Sequence, residues 1–335
     1  MQPSNKYSYL LPTSKTRWRL FKVGLVTVFG VALFYQLRGW QGVPGLIEAS
    51  GRFIRLFLSS YGLIPIALVL ANILMESSKW QLLVRLNHPI SLRRAVRDVL
   101  SGWALGIFTP QRVGEYAGRL LSFPKEARSK GLYFVFSGSI AQNMTHLLGI
   151  IPIAIWWIRT MHEPIAQIAA YLFIICIVSV VLYAYFHLPD LMGYLRHQLS
   201  TISHLKKIIP SSTPSVPSPV LLKVLLLSIL RYGAYLSLFV FLLKWLAPGQ
   251  EVALLYLYVP LVFALQSGFP LPPAISFLAR IEFALISLRG LSLHEASIAA
   301  AGIWLWVLNL LLPSLVGLVL VLLKKQQNDL NKTNR

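Results

Sequence analysis

Residues 108–121 read FTPQRVGEYAGRLL and close an apolar run, 99–108, of roughly ten residues, where a helix that crosses a bilayer needs about twenty. Pro110, Arg112, Glu115 and Arg119 interrupt the chain where a span is due. Basic residues flank the run on both sides: Lys79, Arg85, Arg93, Arg94 and Arg97 before it, then Arg112, Arg119, Lys125, Arg128 and Lys130 after it. Short basic loops stay on the cytoplasmic face, so both flanks lie on one side and the chain must dip in and return. The stretch is expected to be a re-entrant hairpin over 99–121. Pro110 stands at its turn, and Gly102, Gly106, Gly114 and Gly118 let its arms, or neighbouring helices, approach closely.

The surrounding chain sets the solvent. Of 335 residues 56% are hydrophobic and 13% charged, and apolar stretches near span length are separated by basic punctuation, which describes a polytopic membrane protein. No polar stretch is long enough for a water-soluble domain, so any function lies in the membrane or at its surface. Lys and Arg number 31 against 11 Asp and Glu, a net charge of +20. These bases cluster beside apolar spans rather than along a polar face, which points to topology and anionic headgroups and away from nucleic acid. The single cysteine, Cys176, lies in an apolar run and offers neither a disulfide framework nor a thiolate metal site.

Full spans are expected at about 18–37, 61–79, 131–158, 165–186, 221–246 and 296–323, with the first read as a retained signal anchor that follows a cytoplasmic tail, 1–17. A second interruption, LQSGFPLPPAISFLARIEFALISL at 265–288, repeats the pattern of the first: Gly268, Pro270, Pro272 and Pro273 precede a helix-like stretch carrying Arg280 and Glu282. Charge parity places both termini in the cytoplasm, so this hairpin (265–289) enters from the opposite face. Two complete short spans, 252–269 and 274–290, would give the same end orientation. The expected fold is therefore all-α, with about six full spans and two broken hairpins in a weak inverted repeat, or eight segments if the hairpins span. Its halves, 18–187 and 220–323, are joined by 188–219, an interfacial amphipathic helix and a Ser- and Pro-rich linker, and followed by a cytoplasmic tail, 324–335. Paired broken segments in opposite halves point to a binding site near the bilayer midplane.

Polar side chains inside apolar segments are expensive and each needs a reason. Ser139, Gln142, Asn143 and His146 recur at i, i+3, i+4 and i+7 and so share one helix face, suited either to interhelical bonding or to lining a polar cavity. Asn72 with Glu76 and Arg231 with Tyr235 are four apart on their own spans, and Asn309 reads as a packing contact. Glu115 and Arg119 stand in the favourable order for a helical ion pair. If Pro110 opens a half-helix, Gln111 and Arg112 occupy its first turn, where free N–H groups and a planar guanidinium suit a phosphate. Catalysis has little support. The three aspartates, Asp98, Asp190 and Asp329, have no carboxylate neighbour at short range, and no nucleotide loop or zinc motif appears. Ser137 or Ser139 with His146 could be forced into a dyad, but seven residues along a helix span about 10 Å. No enzyme, cofactor or metal is expected.

The motif Thr109-Pro110-x-Arg112-x-Gly114-Glu115 after a short apolar run, with the Pro-rich break and Arg-x-Glu of 270–282 and a long last span, resembles the flippase-like transmembrane domain of the lysylphosphatidylglycerol synthases, the multiple peptide resistance factor family. The similarity runs over about residues 18–325. The family pattern has Gly where Gln111 stands, and its second motif is glycine-rich before the Arg-Glu, where Ala274, Ile275, Ser276 and Ala279 stand here. The aminoacyl transferase domain of full-length synthases is not part of this sequence. The resemblance implies lipid translocation or recognition. The expectation that follows is a translocator-like protein of a bacterial-type inner membrane whose two hairpins meet in a polar cavity, with Arg112, Arg119 and Arg280 on a phosphate, Glu115 and Glu282 balancing charge or meeting a cationic headgroup, and Gln142, Asn143, His146 and Arg231 lining the cavity. The expected partners are membrane phospholipids or polyprenyl-phosphate lipids, with a role beside envelope-biogenesis proteins as a non-transporting alternative.

Overall fold

The computed structural model describes residues 42–107, 112–120, 127–188, 216–267 and 276–333, together with a few isolated positions outside these ranges. The described residues are all-helical, without a strand. Among the described residues four helical stretches are long and apolar enough to cross a membrane: Ser60–Val84, Pro164–Phe186, Ser218–Leu246 and Glu295–Leu323. The expected first span, 18–37, lies outside the described residues apart from Thr27 and Val31, as does most of the linker helix in 188–219.

The first continuously described element is α1 (Gly42–Leu58), an amphipathic helix that sequence reasoning missed. Ala49, Phe53 and Leu56 recur at helical spacing and are buried, and Phe53 stacks on Trp304 with ring centroids 3.9 Å apart. Next come α2 (Leu63–Val84) and α3 (Leu92–Gly106), whose Ser91 caps the first turn by accepting from the Arg94 amide at 3.3 Å. The seven-residue α4 (Val113–Arg119) returns along α3. At 15 residues α3 is about 22 Å long, short of a hydrocarbon core of about 30 Å.

The expected continuous span 131–158 is instead two helices, α5 (Arg128–Gly149) and α6 (Ile151–Arg159). Pro152 explains the break. It has no N–H for the Leu148 carbonyl, and its ring crowds that carbonyl, so α5 ends one turn earlier and the Ile150 amide turns to Leu147 O at 3.3 Å. The next two, α7 (Pro164–Phe186) and α8 (Ser218–Leu246), run as single helices close to the expected bounds. In the second interruption α9 (Val252–Ser267) and α10 (Ser276–Ser287) pack against each other. At 16 and 12 residues they reach about 24 and 18 Å, so neither is a complete span by length. The last stretch joins α11 (Glu295–Trp306) to α12 (Leu312–Thr333) through a π turn at Val307–Leu311. Pro313 withholds the N–H that the Asn309 carbonyl would otherwise accept, which accounts for the widened turn.

Two apolar cores result, and α8 belongs to both. Its first turns put Leu221, Val224 and Leu225 against Trp80, Val99, Trp103 and Tyr133, while its last turns put Leu238, Leu242 and Leu246 against Leu255, Val262, Ile281 and Ala300. Arg231 and Tyr235 fall on α8 between the two sets. That is where the polar cavity opens.

Candidate functional site

Both broken helix pairs face one cavity of about 650 Å³. The first pair is pressed together at glycines. A Cβ on Gly114 would be driven into the Leu105 carbonyl, and one on Gly118 would lie 2.6 Å from the Gly102 Cα, so α3 and α4 touch backbone to backbone. The turn between them is tied by Thr109, whose hydroxyl donates to Gly106 O at 2.9 Å and accepts from the Gly114 amide at 2.8 Å. Its other side rests on the last span, where a Cβ on Gly317 would strike the Leu100 carbonyl.

This geometry corrects the expected helix-terminus anion site. Arg112 is not in the first turn of α4 but precedes it as the N-cap, in the left-handed region at φ 58. The Gly114 amide is already taken by Thr109, and the guanidinium turns forward to Glu115, with Nε 2.8 Å from Oε2. Left-handed backbone in a residue with a Cβ costs about 1–2 kcal/mol. The ion pair and the packed hairpin hold it there.

Glu76 of α2 is the centre of the site, a role that sequence reasoning did not assign. One carboxylate oxygen accepts from Arg119 at 2.6 Å, while the other accepts from Lys79 at 3.0 Å and forms an ion pair with Arg231 at 2.9 Å. Arg119 also binds Glu115, four residues back. Two carboxylates therefore hold Lys79, Arg112, Arg119 and Arg231, drawn from α2, the first hairpin and α8. Neutral groups complete the shell. Arg231 donates to Asn72 Oδ1 at 2.6 Å and Gln142 Oε1 at 3.0 Å, and Asn72 in turn donates to Asn309 in the π turn. Gln142 also takes Lys79 at 3.4 Å. Burying ions is costly, and pairing and hydrogen bonding of this kind offset that cost.

Lys79 thus leaves the tally of loop cations: α2 continues to Val84, and Lys79 is 1% exposed. Asn309 is a hydrogen-bonding partner and not merely a packing contact. Aromatic faces carry the remaining positive charge. The guanidinium carbons of Arg112 and Arg231 lie 5.8 and 5.9 Å from the Trp103 ring centre, and that of Arg280 lies 5.7 Å from Tyr235, one turn beyond Arg231 on α8.

The second pair is stapled by an amide. Gln266 on α9 donates to the Ser276 carbonyl at 3.2 Å and accepts from Arg280 Nε at 3.0 Å. Of the residues expected in the site, Arg112, Glu115, Arg280, Gln142, Asn143, His146 and Arg231 all line the cavity. Arg119 and Glu282 do not: both are buried, Arg119 behind the wall on its two carboxylates and Glu282 two residues from Arg280, on another side of α10. Gly114 lies at the α3–α4 contact, and Pro110, Pro272 and Pro273 lie outside the described residues. The i, i+3 spacing of Glu76 and Lys79 was the available signal for the missed centre.

No protein-family model matches the chain, and no curated protein and no solved structure does so either.

Proposed function

We propose that the chain is an integral-membrane, flippase-like lipid translocator that recognises a phosphate-containing headgroup in the cavity between its two hairpins. The observation that carries this reading is the convergence of α3–α4 and α9–α10, both too short to span by themselves, on one polar cavity within a set of membrane-length helices. Irregular backbone at membrane depth is tolerated where it is buried in protein or lines a wet cavity. The lining carries Arg112, Arg231 and Arg280 against Glu76 and Glu115, a composition suited to an anion. Acyl chains would remain in lipid while the headgroup enters. On this reading the protein sits in a bacterial-type inner membrane with both termini cytoplasmic, the hairpins are re-entrant from opposite faces, and the chain is a relative of the flippase-like domain of lysylphosphatidylglycerol synthases. A polyprenyl phosphate presents the same headgroup chemistry and is the second cargo to try.

The test is reconstitution in liposomes carrying fluorescent phosphatidylglycerol, lysyl-phosphatidylglycerol or a polyprenyl phosphate, with an external quencher reporting the inner-leaflet probe. Accelerated loss of protection for one class, relative to protein-free vesicles, is the expected result and names the cargo. No acceleration for any probe would replace translocation with a scaffold role in envelope assembly.

A further inference from the structure

We propose that Arg280 is the anion-receiving residue of the cavity: its guanidinium takes the phosphate oxyanion of the lipid headgroup, while the arginines of the first hairpin and of α8 stay on their carboxylates. The inference rests on the proposed function and assigns the contact within it. Arg280 is 6% exposed, lines the cavity and, among the described residues, pairs only with the Gln266 amide and the Tyr235 ring. Among the described residues no carboxylate comes within ion-pair distance of it, whereas Arg112, Arg119 and Arg231 each hold one.

Nor can the rest of the second hairpin supply one. Residues 268–275, GFPLPPAI, contain no acidic side chain. Glu282 is two residues along α10, about 200° around the helix, and is not part of the lining. An arginine cannot shed its proton, so a buried guanidinium with neutral partners keeps its charge and awaits an anion. The aromatic face and the amide reduce the cost of that waiting state without neutralising it.

The local geometry also selects the form of the anion. Gln266 accepts from Nε, which fixes the plane of the guanidinium and leaves its two terminal nitrogens as a fork. Such a fork matches two oxygens of a tetrahedral phosphate. For Arg112 or Arg231 to do the same, Glu115 or Glu76 would have to lose a partner while buried, which is unfavourable.

The test is titration calorimetry of the full-length protein in a neutral detergent with dodecyl phosphate, and separately with inorganic phosphate. Saturable binding of dodecyl phosphate is expected, weakened about tenfold or more in Arg280→Gln and less in Arg112→Gln, since a lost charge-assisted fork is worth at least that factor. Arg289→Gln removes an exposed cation from the loop after α10 and is expected to bind as wild type. If Arg280→Gln does not fold, Arg280→Lys keeps the charge without the fork and should lose roughly three- to tenfold. Wild-type binding of dodecyl phosphate with no loss in a folded Arg280 variant, or an equal loss in Arg112→Gln, overturns the assignment and leaves the lipid reading standing. Inorganic phosphate binding as tightly, and lost with Arg280, supports the residue but makes the ligand a free anion and overturns the lipid reading. If no phosphate binds, both fall.

Discussion

In the first hairpin Arg119 gives its guanidinium to Glu76 and Glu115 and is shut behind the cavity wall; in the second, Arg280 gives one nitrogen to an amide, rests on a tyrosine and faces the cavity. Both side chains are more than nine-tenths buried. What separates them is the local supply of carboxylate. The first hairpin carries Glu115 and meets Glu76 from α2, so it is bound into the bundle by charge. The second carries Glu282 on another side of its helix and is held by apolar packing of Ile281, Phe283, Ala284 and Leu285 and by Gln266. Equal burial of the same residue type therefore serves cohesion in one place and readiness for a ligand in the other.

The comparison breaks first at Glu76. Glu76→Gln leaves Lys79, Arg119 and Arg231 short of their shared counter-charge, and should destabilise the fold by about 3–5 kcal/mol. Thermal unfolding in detergent is the check, and an unchanged midpoint would mean that the network is not cohesive. Next in size is Gly114→Ala, whose methyl group meets the Leu105 carbonyl and should cost about 1–3 kcal/mol by forcing α4 off α3. A cysteine pair placed across α3 and α4 would show the separation as slower crosslinking.

Arg280→Gln sharpens the contrast in the opposite direction. Without ligand it removes a buried charge that has no carboxylate among the described residues, so stability should stay within about 1 kcal/mol of wild type or rise. Arg119→Gln in the same assay should lose about 3 kcal/mol or more. Equal losses in the two would erase the distinction between the hairpins. The smallest effect is expected for Arg112→Gly, which relieves the left-handed backbone but gives up a pair whose arginine is 36% exposed. Relief of about 1–2 kcal/mol is offset by a cost of similar size, because Glu115 stays buried and loses one of its cations, so the midpoint of the same melting curves should barely move.

Periodicity and punctuation made much of this architecture legible. Pro and Gly clusters beside runs too short to span marked both hairpins, and the spacing of Gln142, Asn143 and His146 put them on the face of α5 that lines the cavity. Charge was the poorer guide. Counting Lys79 as a loop cation assumed that a lysine near the end of an apolar run is solvated, yet α2 continues and Glu76 takes the lysine inside. The break at Ile150 was available from Pro152 but was outweighed by apolar content on both sides. Neither the left-handed Arg112 nor the sharing of Glu76 by three cations has a local signature, since both depend on which helices meet. The amphipathic α1 passed unnoticed because its charges, Glu48, Arg52 and Arg55, interrupt any hydropathy window.

The π turn at Val307–Leu311 has a consequence for how the last stretch presents its faces. One widened turn inserts about one residue and so advances everything after it by about 100° relative to an uninterrupted helix. The stretch therefore carries two phases. Before and within the turn, Leu305 and Asn309 address the cavity; after it, Gly317 is brought round to the backbone of α3. A single helical wheel drawn through Glu295–Leu323 would misplace one set or the other. Deleting one residue from the turn would restore a regular helix at the expense of swinging Gly317 away from Leu100, so the irregular turn keeps the end of the chain in register with the first hairpin.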